Sequence, residues 1–229
     1  FIFCFIIGIV YAKPVKVLVI TGGHSYDTLS FKTMFEEMGD FDFDYLNQPE
    51  ANIFISNGNA LEYDLLVFYD MWRTISEKEK QGYIKLTEKG MPLLFLHHSI
   101  VSYQDWPDFE KLIGGKYVEN NKEAKENQST YRHDVWIDVL VVDSNHPITK
   151  AMSNFRLFDE VYGNFRVSED VIPLLKTNHP ESTKIIGWEN SFNFSKIVYL
   201  QPGHDYNTFK SKEFRKLIVQ AIHYLVGSD

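Results

Sequence analysis

The sequence predicts an α/β protein: a three-layer α/β/α arrangement around a mainly parallel, flavodoxin-like sheet, with a β-hairpin near the C-terminal end. Three observations carry this. Apolar, partly β-branched runs at Val15–Ile20, Asp64–Asp70 and 92–96 read as buried strands. Segments with helical spacing of apolar residues lie between them, and that alternation requires right-handed crossovers and a parallel sheet. The third run, Met91-Pro-Leu-Leu-Phe-Leu-His-His-Ser99, stops abruptly at two adjacent histidines, His97 and His98. That places two imidazoles at the carboxyl end of a strand, where open α/β sheets collect ligands and catalytic groups.

The elements follow in order. Val15–Ile20 ends in Thr21-Gly22-Gly23-His24, whose glycines permit a tight turn into a helix beginning near Leu29. Phe31, Met34, Phe35 and Met38 give that helix an apolar face. Residues 41–46 alternate apolar and acidic, as a strand near a sheet edge does. The strand 64–70 ends in Asp70. Ser76 with Glu79 three residues later forms a capping box for a helix running to about Glu88. Beyond His98 the rhythm changes: residues 119–130 are a polar loop, and strands are expected at Val135–Val142, Val171–Lys176, Lys184–Glu189 and Lys196–Leu200. The last two are joined by 190–195 as a hairpin. An amphipathic helix from Ser211 to Val226 closes the domain, with Phe214, Leu217, Ile218, Ala221, Ile222 and Leu225 on one face.

The front of the chain is read separately. Residues 1–10 are an unbroken apolar run followed by Tyr11-Ala12-Lys13-Pro14. This is too short to span a bilayer but suits the core of a secretory signal, cleaved after Ala12. The expectation is therefore a signal segment at 1–12, truncated at its start, and a single domain at 13–229 with no stable membrane insertion after cleavage. The only cysteine, Cys4, lies in that segment, so the domain has no disulfide, thiol nucleophile or cysteine metal site. Export without disulfides fits a bacterial periplasm or an extracellular location. With 44% hydrophobic residues the chain can bury a sizeable core. The formal charge of −8 argues against nucleic acid as a partner; a homo-oligomer stays open.

Candidate site residues come from the strand ends. His24 follows a strand and two glycines, so it belongs at the same edge as Asp70 and His97. Consecutive residues leaving a strand point in different directions, so one of His97 and His98 is expected to face a pocket and the other the core. Asp70 can orient an imidazole, bind a substrate hydroxyl or cap a turn. Glu160 and Tyr162 share one face of an alternating segment, and His204 lies in a turn after Pro202-Gly203 at the end of the last strand. Trp106 and Tyr103 can stack on a sugar ring or pack in the core. His133 either faces the site or caps a strand, and His146 reads as a structural turn residue.

Taken together, Lys16–His24, Phe95-Leu-His-His98, Gln104-Asp-Trp-Pro107, His146-Pro147-Ile148, Asp159-Glu-Val-Tyr-Gly-Asn-Phe165 and Gln201-Pro-Gly-His204 resemble the trehalose-utilisation (ThuA-like) family over nearly all of residues 15–227. The resemblance implies a fold similar to class I glutamine amidotransferases and a role in carbohydrate catabolism on a disaccharide or a 3-keto-sugar. Amidotransferases of this fold place a nucleophilic Cys at the turn where this chain has His97, so glutamine hydrolysis through a thioester is excluded. The expected protein acts on a small sugar with His97, His24, Glu160 and His204 as catalytic residues and Asp70, His98, Tyr162 and Trp106 binding substrate. It would be a sugar hydrolase, lyase or isomerase, or else a non-catalytic sugar-binding domain. Two mechanisms stay open: acid–base chemistry by histidine and carboxylate, or a divalent metal ion held by His97, His204 and Glu160. No compact metal-binding spacing occurs, and the metal-free version is preferred.

Overall fold

The computed structural model describes residues 13–119 and 123–227; the signal segment read at 1–12 lies outside them. The chain runs β1 (Val15–Gly22), α1 (Thr28–Glu36), β2 (Phe41–Asn47), α2 (Glu50–Ser56), β3 (Leu65–Asp70), α3 (Glu77–Glu88), β4 (Leu93–Leu96) and α4 (Pro107–Ile113). It continues through β5 (Gly115–Lys116), β6 (Thr130–Val141), β7 (Phe155–Gly163), β8 (Arg166–Val167), β9 (Ile172–Lys176), β10 (Ile185–Phe192), β11 (Ser195–Leu200), α5 (Tyr206–Phe209) and α6 (Lys212–Val226).

Alternation within the strands decides the layers. In β1, Val17 and Val19 turn to one side of the sheet and Leu18 and Ile20 to the other. β3 and β4 are buried along their whole length and divide in the same way. A strand that is apolar on both faces needs cover on both. On one side Phe31, Met34 and Phe35 of α1 and the apolar stripe of α6 supply it. On the other, Ala51 and Ile55 of α2, Tyr83 and Leu86 of α3, and Phe109 and Leu112 of α4 do so. The three expected layers are present.

The nine-stranded sheet has the order β2-β1-β3-β4-β11-β10-β9-β6-β7. β2, β1, β3, β4 and β11 pair in parallel. The remainder pair antiparallel, so that only β10 and β6 run against the other strands. The chain leaves β1 outward to β2 and returns to β3 on its other side, which opens a crevice at the carboxyl ends of β1 and β3.

The elements predicted from sequence are present, with adjustments. Both arms of the Ser76–Glu79 capping box form, an arrangement worth about 0.5–2 kcal/mol. α1 starts at Thr28, because Asp27 accepts from the Ser30 N–H and caps it. The hairpin is tighter than 190–195 suggests, since Asn190, Ser191 and Phe192 all pair with β11 and only Asn193-Phe194 turn. Asn193 takes the left-handed backbone that Asn tolerates. β6 begins five residues earlier than expected, at Thr130, where β7 supplies it with a partner. The seven-residue helices α2 and α4 are additions to the expected elements; each is too short to show a helical period in the sequence.

Candidate active site

The ribbon of β6 and β7 pairs with the rest of the sheet where Leu140 and Val141 meet β9. Its far end returns to the carboxyl ends of β4 and β11 and is fastened there by buried hydrogen bonds. Asp159 accepts from the backbone N–H groups of Gly203 and His204 at 2.8 and 2.9 Å, and the Gln201 side chain donates to the Glu160 carbonyl at 2.7 Å. Two motifs distant in sequence, around Asp159 and Gln201, thus hold each other in place. Between the ribbon and the strand ends lies a cavity of about 610 Å³, lined by His24, His97, His98, Tyr131, His133, Glu160 and Tyr162 among others.

His97 opens the turn after β4 with φ of 50°, a left-handed conformation uncommon outside glycine. Such strain persists only where the surroundings fix it. Here the ring Nδ1 lies 2.8 Å from the Gln201 carbonyl oxygen, and the Tyr199 hydroxyl donates to the His97 carbonyl at 2.9 Å. A carbonyl oxygen only accepts, so Nδ1 carries the proton. Nε2 is left to face the cavity, 3.0 Å from Glu160 Oε2 and 3.1 Å from the Tyr162 hydroxyl.

Glu160 is 5% exposed and stands among three imidazoles. His97 Nε2 and His204 Nδ1 meet its Oε2 at 3.0 and 3.2 Å, and His133 Nδ1 meets Oε1 at 3.3 Å. Burial pushes this carboxyl upward, but the hydrogen bonds and charges of His204 and His97 outweigh it and hold the group well below the ordinary carboxylate range. The hydrogen bond to Glu160 raises His204 in turn, against its burial. Burial and the nearby Glu160 charge keep the Tyr162 hydroxyl protonated.

The facing wall is electrically different. His98 is 3% exposed and its Nε2 donates to the Tyr69 carbonyl at 3.2 Å, leaving Nδ1 with a lone pair. Burial, with repulsion from His97 and His24, lowers it well below the ordinary histidine value. His24 stands at the rim, its ring 5.0 Å from that of His98, and is also lowered, by burial first. Gly23 makes its position possible: it has φ of 81°, and a Cβ there would fall 2.1 Å from the Met71 carbonyl oxygen. The cavity therefore has one wall of neutral imidazoles and one wall built on a buried carboxylate.

The structure brings together His24, His97, His98, Glu160, Tyr162 and His204. Both adjacent histidines line the cavity, their ring planes 78° apart, so neither is turned wholly into the core. Asp70 and Trp106, read as substrate-binding, do not line it. Asp70 is 1% exposed and accepts from Gln48 at 2.8 Å; Gln48, Asn52, Tyr83 and Tyr103 complete a buried network behind the strand end. Trp106 packs against Tyr83, Tyr103 and Phe109. Both lie where the last strand residue or the next helix turns inward, a direction that strand-end position alone does not reveal. His146 is structural: its Nε2 bonds Glu189 at 3.0 Å and its Nδ1 accepts from the Ile148 N–H.

Sequence reasoning leaves His133 undecided and misses Tyr131. His133 reaches Glu160 because β6 is bulged. Arg132 pairs with Val161 and Val135 with Asp159, so His133 and Asp134 together oppose Glu160. Asp134 has φ of 58°, and a bulge of this kind re-aims a side chain.

Comparison with known proteins agrees with this architecture. A ThuA-like protein from Parabacteroides merdae superposes with a TM-score of 0.78 at 18% identity, covering 95% of this chain and 91% of that one. A second, from Bacteroides uniformis, gives 0.71 at 22% identity, with coverages of 96% and 95%. A GMP synthase subunit from Thermoplasma acidophilum gives 0.60 at 13% identity, with coverages of 95% and 96%, and shares the amidotransferase-like fold. No curated protein matches the chain in sequence. The sequence pattern described as trehalose utilisation (ThuA) matches residues 16–225, and the chain belongs to that family of carbohydrate utilisation.

Proposed function

We propose that the protein is an enzyme of carbohydrate breakdown that acts on a disaccharide carrying a ketone, such as a 3-keto-disaccharide, by removing a proton from the carbon next to that carbonyl. The observation that carries this reading is the division of the cavity into two walls. Proton removal beside a ketone needs a neutral base on one side and stabilisation of negative charge on oxygen on the other. His24, with His98 behind it, supplies neutral imidazoles that accept a proton or a sugar hydroxyl. The centre of His97, His204 and Glu160, with the Tyr162 hydroxyl beside it, supports the carbonyl oxygen as charge develops. The resulting enolate leads to isomerisation of the keto-sugar or to elimination of its glycosidic substituent.

A glycosidase of the usual kind needs two positioned carboxylates. Asp70 lies outside the cavity, Asp159 is bound to backbone N–H groups, and Glu119 at the cavity wall is paired with Arg73, so each is engaged elsewhere. The amidotransferase reaction of related folds needs a thiol at the turn where His97 stands. The test is turnover of a 3-keto-disaccharide by wild type and by His97→Ala, with circular dichroism confirming that the variant is folded. Turnover by the wild type, lowered at least ~10²-fold in the variant, is expected. Saturable sugar binding with no product from the wild type would make this a sugar-binding domain instead.

A further inference from the structure

We infer that His97, Glu160 and His204 form a binding site for one divalent transition-metal ion, zinc-like in its preferences. The inference deepens the proposed function and rests on it only in sharing its site. The three ligand atoms, one from each residue, lie within 4.8 Å of one another. A tetrahedral ion with bonds of about 2.1 Å sets its ligand atoms about 3.4 Å apart. His97 Nε2 and His204 Nδ1 stand 3.0 and 3.2 Å from Glu160 Oε2, within a few tenths of an ångström of that edge. The donor set of two imidazoles and a carboxylate is the one zinc and non-haem iron sites use.

The surroundings are those of a ligand set rather than of a loose ion pair. A metal-binding imidazole typically donates its other N–H to a carbonyl or carboxylate, which fixes the nitrogen that faces the ion. His97 does this with the Gln201 carbonyl. Glu160 has its second oxygen held by His133, which the bulge at Asp134 delivers from outside the trio. His204 is set by a turn whose N–H groups are fastened to Asp159, and Gly203 within it has φ of 138°. The His97 and Glu160 side chains are thus held from behind, and His204 is placed through the backbone of its turn. His97 and Glu160 also line the cavity, so positions left open on the ion would face substrate. There an ion would polarise a carbonyl oxygen, the same task proposed above for this centre.

Titration of the chelator-treated protein with Zn²⁺, and separately with Co²⁺ for its visible absorption, tests the inference without reference to activity. One equivalent is expected to bind to the wild type. Glu160→Gln and His204→Ala, both confirmed folded, should weaken binding by more than ~100-fold, and His133→Ala by about 10–100-fold. His146→Ala, which removes an imidazole paired with a carboxylate elsewhere, should leave affinity unchanged. No binding by the wild type, or equal binding by wild type, Glu160→Gln and His204→Ala, would overturn the site. Metal bound without keto-sugar turnover would keep the site and remove the proposed reaction. Undiminished turnover by metal-free protein would keep the reaction and remove the ion's part in it, leaving the site to be decided by the titration.

Discussion

Glu160→Gln is expected to lower kcat on a keto-disaccharide by about 10²–10⁴-fold while the protein stays folded. Glutamine keeps the shape of the side chain but not its charge, and its amide nitrogen cannot accept from an imidazole. His97 and His204 both converge on Oε2 and His133 on Oε1, so one substitution removes the charge that three rings share and one of the two acceptor oxygens. The hydrogen bond to Glu160 is also the largest influence raising His204, and without it that residue should titrate lower. Stability should change with pH in a defined sense. Glu160 titrates below the ordinary carboxylate range in the folded chain, so its contribution is present above that range and lost as pH falls through the folded value. The wild type should therefore lose more stability on acidification than Glu160→Gln. Steady-state kinetics and urea unfolding across acidic pH check both; an unchanged kcat would separate Glu160 from the chemistry.

Asp70→Asn is expected to act in the opposite direction, on stability and not on catalysis. Burial raises Asp70 to about 7, opposed only in part by the hydrogen bond from Gln48. The folded chain therefore holds a proton that the unfolded chain releases near the ordinary value of 3.8. No penalty exists below that value; it grows as pH rises and is complete above the folded value. A difference of roughly three pH units corresponds to about 4 kcal/mol. Asn is neutral at every pH and can still accept from Gln48, so the substitution should remove the penalty. Urea unfolding at pH 4, 6 and 8 should show wild type losing stability relative to Asp70→Asn as pH rises, with kcat nearly unaffected because Asp70 lies outside the cavity. Parallel stability curves would contradict this account of the buried network.

Much of the fold was legible because its central strands are buried on both faces and α1, α3 and α6 carry side-chain caps. β3 and β4 read as continuous apolar runs and β1 as one interrupted only by Lys16 before its glycine turn, and the Ser76–Glu79 box marks the start of α3. The rule that chemistry gathers at carboxyl ends of parallel strands placed His24, His97 and His204 at one edge. Alternation put Glu160 and Tyr162 on one face of β7, and both reach His97. The rest depended on relations that sequence does not encode locally. Asp70 and Trp106 end up in a buried layer because the chain turns inward after β3 and before α4. His133 reaches Glu160 only through the bulge at Asp134, which shifts the pairing of β6 by one residue with no glycine to announce it. The return of the β6–β7 ribbon across the strand ends is a long-range event, fixed by Asp159 and Gln201.

The central claim is that a neutral imidazole wall and a carboxylate-centred wall together remove a proton beside a ketone. Incubating the wild-type protein with a 3-keto-disaccharide in D₂O and following it by NMR tests this most directly. Deuterium should enter the carbon next to the carbonyl while isomer or elimination product accumulates, and neither should occur at a comparable rate in His97→Ala. A substrate that is bound but gains no deuterium and yields no product would contradict it.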